Sequence, residues 1–171
     1  DFVVLSSLLD YYCDLRRWKD AVVAIRRFLD SPPPPSVPIR VAALLRQAEI
    51  HSEGEMDPRA TVAVLREILE IDGAELDAYY QLAQQAYLLG QYSDARAAID
   101  RVIELSTARG TQMSAAALAR YYYYKGRILE AAGDRRGATP QYRRATEYDP
   151  GYAPPALVFA RRAVEAHDLG Q

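Results

Sequence analysis

The chain has 171 residues, of which 50% are hydrophobic and 26% charged, with a formal net charge of -2. That balance excludes wholesale disorder. The lack of a basic excess argues against a dedicated nucleic-acid binder or a polybasic membrane binder. No apolar run reaches the length of a membrane-spanning helix, so direct membrane insertion is not expected, and the single Cys13 cannot form an internal disulfide.

The first residue is Asp1 rather than Met, and Phe2-Val3-Val4-Leu5 already reads as a packing helix. The expectation is a longer polypeptide, with a leader or a further domain ahead of this segment. From there Leu5, Leu8, Leu9 and Tyr12 recur at helical spacing, Arg16 stands at a turn, and Trp18, Ala21, Ile25 and Phe28 form a second run. These residues predict an antiparallel helix pair over residues 2–30. Next comes Ser31-Pro32-Pro33-Pro34-Pro35-Ser36-Val37-Pro38, which should be non-helical and run as a stiff extended link.

A second pair is predicted over residues 39–72. Leu44, Ala48 and His51 mark its first helix, and Thr61, Leu65, Ile68 and Leu69 its second. One extra residue sits in its turn, Gly54 is displaced from the usual turn position, and Pro58 lies in the turn. The third pair, over residues 76–106, is the clearest. Tyr79, Leu82, Ala83 and Ala86 precede Gly90, and Ala95, Ile99, Val102 and Ile103 follow Tyr92. Gly90 suits a helix stop, where positive φ costs glycine least.

Ser106 to Ser114 reads as a polar linker containing Gly110 that partly continues the flanking helices. The fourth pair, over residues 115–149, carries Tyr122, Lys125, Gly126, Leu129, Gly133, Ala138, Tyr142 and Ala145 and closes on Asp149-Pro150. Pro140 is expected near the start of its second helix, where a missing amide is tolerated. A last helix is predicted over residues 153–168. The 171 residues thus read as a single array.

Four phased helix pairs with a repeat of about 34 residues resemble the tetratricopeptide repeat (TPR) family. The fourth pair carries the most family residues, in Gly126, Gly133, Ala138, Tyr142, Ala145 and Pro150. The resemblance implies an all-α fold, a TPR-like right-handed α-solenoid of antiparallel helix pairs. It also implies a concave groove lined by the first helix of each pair. One pair has too little core to stand alone, and small residues such as Ala83, Ala95, Gly126 and Ala138 let stacked helices approach closely.

Catalytic signals are sparse. The two histidines, His51 and His167, are far apart in sequence, and no nucleophile-elbow, Walker or dinucleotide motif occurs. Gly133-Asp134-Arg135-Arg136-Gly137 resembles a phosphate loop only loosely and falls on a repeat turn. His51, Glu53, Glu55 and Asp57 raise a metal question, but they miss the calcium-loop pattern and read as a solvated acidic turn. Cys13 reads as inert helix packing. No enzyme activity, metal or cofactor is expected.

Five Arg-Arg pairs, at residues 16–17, 26–27, 135–136, 143–144 and 161–162, read as a solvated outer face and not as a phosphate track. Charge is uneven along the chain. Residues 31–119 hold seven bases against twelve acids, and residues 120–171 hold nine bases against six acids. A partner segment of acidic character would prefer the C-terminal part.

One turn around from the packing stripe of the third pair's first helix lie Asp77, Tyr80, Gln81, Gln84, Tyr87 and Leu88. In the fourth pair the same face holds Arg120, Tyr123, Tyr124, Arg127 and Glu130. Tyr and Arg are enriched at binding hot spots. The run Tyr121-Tyr122-Tyr123-Tyr124 spans most of a helix circumference. Tyr122 is therefore expected to be buried, with Tyr123 and Tyr124 turned to the groove, the alternative being packing between neighbouring first helices.

The expected function is non-catalytic protein or peptide binding within a larger assembly. Tyr80, Tyr87, Tyr123 and Tyr124 would hold the partner, Arg120 and Arg127 would pair its acids, and Gln81 and Gln84 would bond its backbone. Chaperone-binding members of the family grip a C-terminal carboxylate with Lys and Asn. This chain has no Asn and only Lys19 and Lys125, so that clamp does not carry over. Two other roles stay open: a spacer or self-association segment of a longer repeat protein, and a regulatory domain whose effector lies elsewhere. End-to-end self-association is suggested by Phe2, Val3 and Val4 at one end and Leu157, Val158 and Val164 at the other. The preference for Arg over Lys and the lack of Asn fit a GC-rich bacterial genome. Cytoplasm is the default compartment, and the periplasm or envelope the alternative.

Overall fold

The computed structural model describes residues 2–108 and 113–168, with side chains as far as Val164 in the last helix. Among the described residues the regular structure is helical: α1 (Phe2–Asp14), α2 (Trp18–Leu29), α3 (Val37–Glu49), α4 (Pro58–Ile71), α5 (Leu76–Leu88), α6 (Tyr92–Ala108), α7 (Ala115–Ala131), α8 (Arg135–Tyr148) and α9 (Ala153–Asp168). A π-helical turn, Ile50–Gly54, follows α3 directly. The chain divides into two compact units, residues 1–91 and 92–171.

In the first unit two apolar clusters form the core. Leu5 and Leu9 of α1 meet Ala21 and Ile25 of α2, and Ala43 and Ile50 from the next pair complete the cluster. The second joins Val41, Leu44 and Ala48 of α3 to Val64, Leu65 and Ile68 of α4, closed by Ala78 of α5. Each pair is thus sealed by a small or branched residue from the helix that follows, as stacked repeats require. In the second unit Leu129, Ala138, Tyr142 and Val158 are buried together, with Tyr123 and Phe159 packed against them.

The four turns share one backbone solution. Arg16, Met56, Gly90 and Gly133 all have positive φ, at 54°, 52°, 72° and 87°. Just past them the amides of Arg17, Gln91 and Asp134 reach back five residues, to the carbonyls of Tyr12, Ala86 and Leu129, at 2.8, 2.9 and 2.8 Å. That bond satisfies a carbonyl the helix end would leave orphaned. In the second turn the Asp57 amide reaches back one residue further, to the His51 carbonyl at 2.8 Å. The extra residue read from the sequence is wound into the π turn, where the Glu55 amide donates to the Ile50 carbonyl. The left-handed residue of this turn is Met56. Gly54 does different work, as a Cβ there would stand 2.6 Å from the Trp18 ring.

Two prolines behave differently from expectation. The non-helical link predicted to run through Pro38 ends earlier, because α3 starts at Val37 and takes Pro38 into its first turn. No intrahelical acceptor is lost there, since first-turn amides have none. Pro140 lies in the second turn of α8, not the first. Its missing amide removes the helical donor for the Arg136 carbonyl. Both residues are solvent-exposed, so water can replace it.

The linker expected over 106–114 is shorter than its polar sequence suggests. α6 runs on to Ala108, and the buried Ser106 hydroxyl donates to the Val102 carbonyl at 2.7 Å. Gly110 lies outside the described residues. Ser114 then caps α7 by accepting from the Ala117 amide at 3.2 Å.

Candidate functional surface

The packing stripe of α5 is built from alanines. Ala78, Ala83 and Ala86 are buried, which lets the helix lie close to its neighbours. Helical periodicity then turns Tyr80, Gln81, Gln84 and Tyr87 onto a second face, where all four are half-buried. Asp77 and Leu88 extend that face and are exposed, Leu88 by 68%.

The corresponding face of α7 differs in charge. Arg120 and Arg127 are exposed, and Tyr124 is half-buried beside them. The tyrosine run divides its duties. Tyr121 and Tyr122 are both buried. The Tyr122 ring stacks on Tyr148 at 5.3 Å, with the Arg144 guanidinium over its face at 5.5 Å. Burial, foremost, raises the Tyr122 phenol pKa. Tyr123 is half-buried, its ring 5.6 Å from Tyr142 on one side and 5.6 Å, edge-on, from Tyr152 on the other.

Glu130 does not face outward with Arg120 and Arg127, as its helical position suggested. Its carboxylate accepts from the Tyr142 hydroxyl at 2.7 Å and from Arg162 of α9 at 2.8 Å. Arg162 also donates to Thr139 at 2.9 Å and stacks over the Tyr142 ring. The Glu130 position belongs to a polar bolt joining α7, α8 and α9.

Sequence reading missed the equivalent face of α1 and α3. There Arg46 bonds Asp10 at 2.8 Å and Glu49 at 2.9 Å. These three residues and Cys13 occupy the register that Gln81, Gln84 and Tyr87 hold on α5. Carrying the repeat register back to the first two pairs would have found them. Next to this cluster is a pocket of about 300 Å³ lined by Cys13, Trp18, Arg46, Glu49, Ile50, Glu53 and Gly54. Burial raises the Cys13 thiol pKa, consistent with a packing residue.

Three residues of the metal question are otherwise engaged: His51 and Glu55 with each other, and Asp57 as the cap of α4. His51 is buried, with Nδ1 2.6 Å from Glu55 and Nε2 3.2 Å from the Gln47 amide. Among the described residues no three His, Cys, Asp or Glu side chains converge as metal ligands, and no helix is long and apolar enough to cross a membrane. Of the arginine pairs, Arg16, Arg17, Arg27, Arg135, Arg136, Arg143, Arg144 and Arg161 are exposed, and one guanidinium nitrogen of Arg26 donates to both carboxylate oxygens of Glu67 at 2.9 Å.

No family model matches the chain, and no curated protein matches it with significant sequence similarity. Solved structures do match. The chain is similar to a crystal structure of MamA protein, at 19% identity and a TM-score of 0.71, over 90% of this chain and 76% of that one. A second MamA crystal structure matches at 20% identity and a TM-score of 0.69, over 86% and 77% of the two chains. The nearly identical TPR-like repeats of a Podosopora anserina kinesin-light-chain-type protein match at 14% identity and a TM-score of 0.65, over 96% and 95%. The fold is that of the TPR-like helix-pair proteins, and it is all-α among the described residues.

Proposed function

We propose that this TPR-like chain is a non-catalytic scaffold that binds a protein segment through the outward faces of its first helices. One observation carries the reading. On α5 and again on α7 a tightly packed stripe leaves a neighbouring face rich in Tyr, Gln and Arg that stays accessible to solvent. Tyr supplies contact area with few rotors to freeze, and Arg pairs acids. On α5, Tyr80 and Tyr87 contact the segment while Gln81 and Gln84 bond its backbone. The α7 face, in the other unit, is a separate contact surface, where Arg120 and Arg127 pair acidic side chains of a bound segment and Tyr124 packs on it with the ordered edge of Tyr123. The chemistry favours an extended or helical acidic peptide with an affinity in the micromolar range, about -8 kcal/mol.

The test is an array of acidic and neutral peptides, followed by fluorescence polarisation on the best binder. Arg120→Ala with Arg127→Ala probes α7, and Gln81→Ala with Gln84→Ala probes α5. Tyr123 is left intact because it packs on Tyr142. The reading expects acidic peptides to dominate at the α7 face and each double variant to weaken binding at its own face by about tenfold or more, the equivalent of 1.4 kcal/mol. Binding that is indifferent to all four substitutions would move the site elsewhere.

A further inference from the structure

The left-handed turn residues set a common register for the four first helices, with allowance for the extra residue of the second turn. One position on the outward face holds Asp10, Glu49, Gln84 and Arg127 in chain order. The position one helical turn later holds Asp14, Glu53, Leu88 and Ala131. The first two pairs therefore present acids where the third is neutral and the fourth presents a base.

The contrast holds for whole helices as well. α1, α3 with its π turn, and α5 together carry Asp10, Asp14, Glu49, Glu53 and Asp77 against Arg40 and Arg46. α7 carries Arg120, Lys125 and Arg127 against Glu130. His51 of the π turn faces inward, to Gln47 and Glu55. The Arg46 charge is already engaged, with Asp10 at 2.8 Å and Glu49 at 2.9 Å. Asp14 and Glu53 are exposed, and no cation pairs with either among the described residues.

These carboxylates border a cavity of about 300 Å³. Trp18, Ile50 and Cys13 give it an apolar wall, and Glu49 and Glu53 give it a charged one. Asp14 stands near enough for its charge to act on the Cys13 thiol, as do Asp10 and Glu49. Lysine and arginine are the side chains that use both kinds of wall, with an apolar stem and a cationic head. An indole beside the head adds a cation–π attraction. A single metal ion fits less well, because no three carboxylates converge among the described residues. The neighbouring bases Arg16, Arg17 and Lys19 line a separate recess together with Asp20 and Glu55, and Arg17 is paired with Asp20.

We propose that the face formed by α1 and α3 binds a basic protein segment, one of whose lysine or arginine side chains enters the cavity beside Trp18. This extends the scaffold reading to a face of opposite charge, and rests on it only in taking a protein segment as the occupant. It uses none of the residues substituted to test the α5 and α7 faces.

Trp18 is the only tryptophan of the chain, so its emission reports on this cavity. The probe is a short peptide alternating arginine with serine, titrated into the full chain while the emission is followed. A peptide with glutamate in place of arginine and the polyamine spermine serve as controls. The arginine peptide is expected to give a saturable change that weakens with added salt, and the glutamate peptide none. Asp14→Asn with Glu53→Gln, checked for helix content by circular dichroism, should weaken binding by about fivefold. Arg120→Ala with Arg127→Ala should leave it unchanged, so a failure of acidic peptides to bind α7 does not touch this result. The proposal is overturned by an arginine peptide that leaves the emission unaltered, or by full affinity in the variant lacking both carboxylates. Spermine binding as tightly as the peptide overturns it too, since the site would then select free cations and not a segment.

Discussion

Gly126 of α7 lies against the Tyr142 ring of α8 so closely that a Cβ there would stand 2.5 Å from Cε1 and 2.7 Å from Cδ1. Tyr142 is fully buried and its hydroxyl is bonded to Glu130, so the ring has nowhere cheap to go. Helix propensity alone would favour Ala over Gly by about 1 kcal/mol. Overpacking a closed core costs about 1–3 kcal/mol, which wins. Gly126→Ala is therefore expected to lower stability in urea melts. A gain in stability would mean that the ring yields.

The Glu130 carboxyl is subject to opposed effects. Burial pushes its pKa up, but the bonds from Arg162 and Tyr142 and the charges of Arg162 and Arg161 more than offset this, leaving it below the ordinary value. A carboxyl depressed on folding contributes stability above its unfolded pKa of about 4.3, and that contribution is lost as pH falls through the lower folded value. Glu130→Gln should cost about 1–3 kcal/mol at neutral pH. The gap in Tm between variant and wild type should narrow toward about pH 3. Thermal scans at both pH values check this, and a gap of constant width would assign the loss to packing.

Arg16 and Met56 hold a left-handed conformation that costs a side-chain-bearing residue about 1–2 kcal/mol. Glycine would relieve that strain and give back about 0.5–1 kcal/mol through its freer unfolded chain. Arg16→Gly and Met56→Gly are each expected to stabilise by roughly 0.5 kcal/mol or more. Gly90→Ala and Gly133→Ala should do the opposite, although nothing lies within 4 Å of either added Cβ. Chemical denaturation of the four variants gives the sign of each effect.

Trp18 is the single tryptophan of the chain, and its ring fills the space beside Gly54. Gly54→Ala should displace it, shifting the intrinsic emission to longer wavelength and destabilising the chain by about 1–3 kcal/mol. An unchanged spectrum would show that the π turn, not the indole, gives way.

The repeat was legible because its marks are local. Gly90 and Gly133 stop helices, and Leu5, Leu9, Ala83 and Ala86 fall at helical spacing. What escaped notice lacks a local mark. Met56 has no propensity for its backbone and takes it because the turn closes around it. Glu130 reads as one more outward residue of α7 until Arg162, far along the chain, arrives beside it. The Asp10–Arg46–Glu49 cluster is invisible in either helix alone and emerges only when two helices share a register. Tyr121 looked no different from its neighbours, and its burial is decided by which way α7 rolls against adjacent helices.

The π turn at Ile50–Gly54 has a consequence for how such a chain can change length. An added residue inside a straight helix would rotate everything beyond it by about 100° and scramble which side chains face the interior. Here the surplus is coiled into a single widened loop of backbone, and the turn beyond it closes on the same left-handed geometry as its siblings. The error is absorbed where it arises. A miscount of one residue is thereby made survivable, and the junctions between helices, more than the helices themselves, are where this architecture can accept insertions without losing its phase.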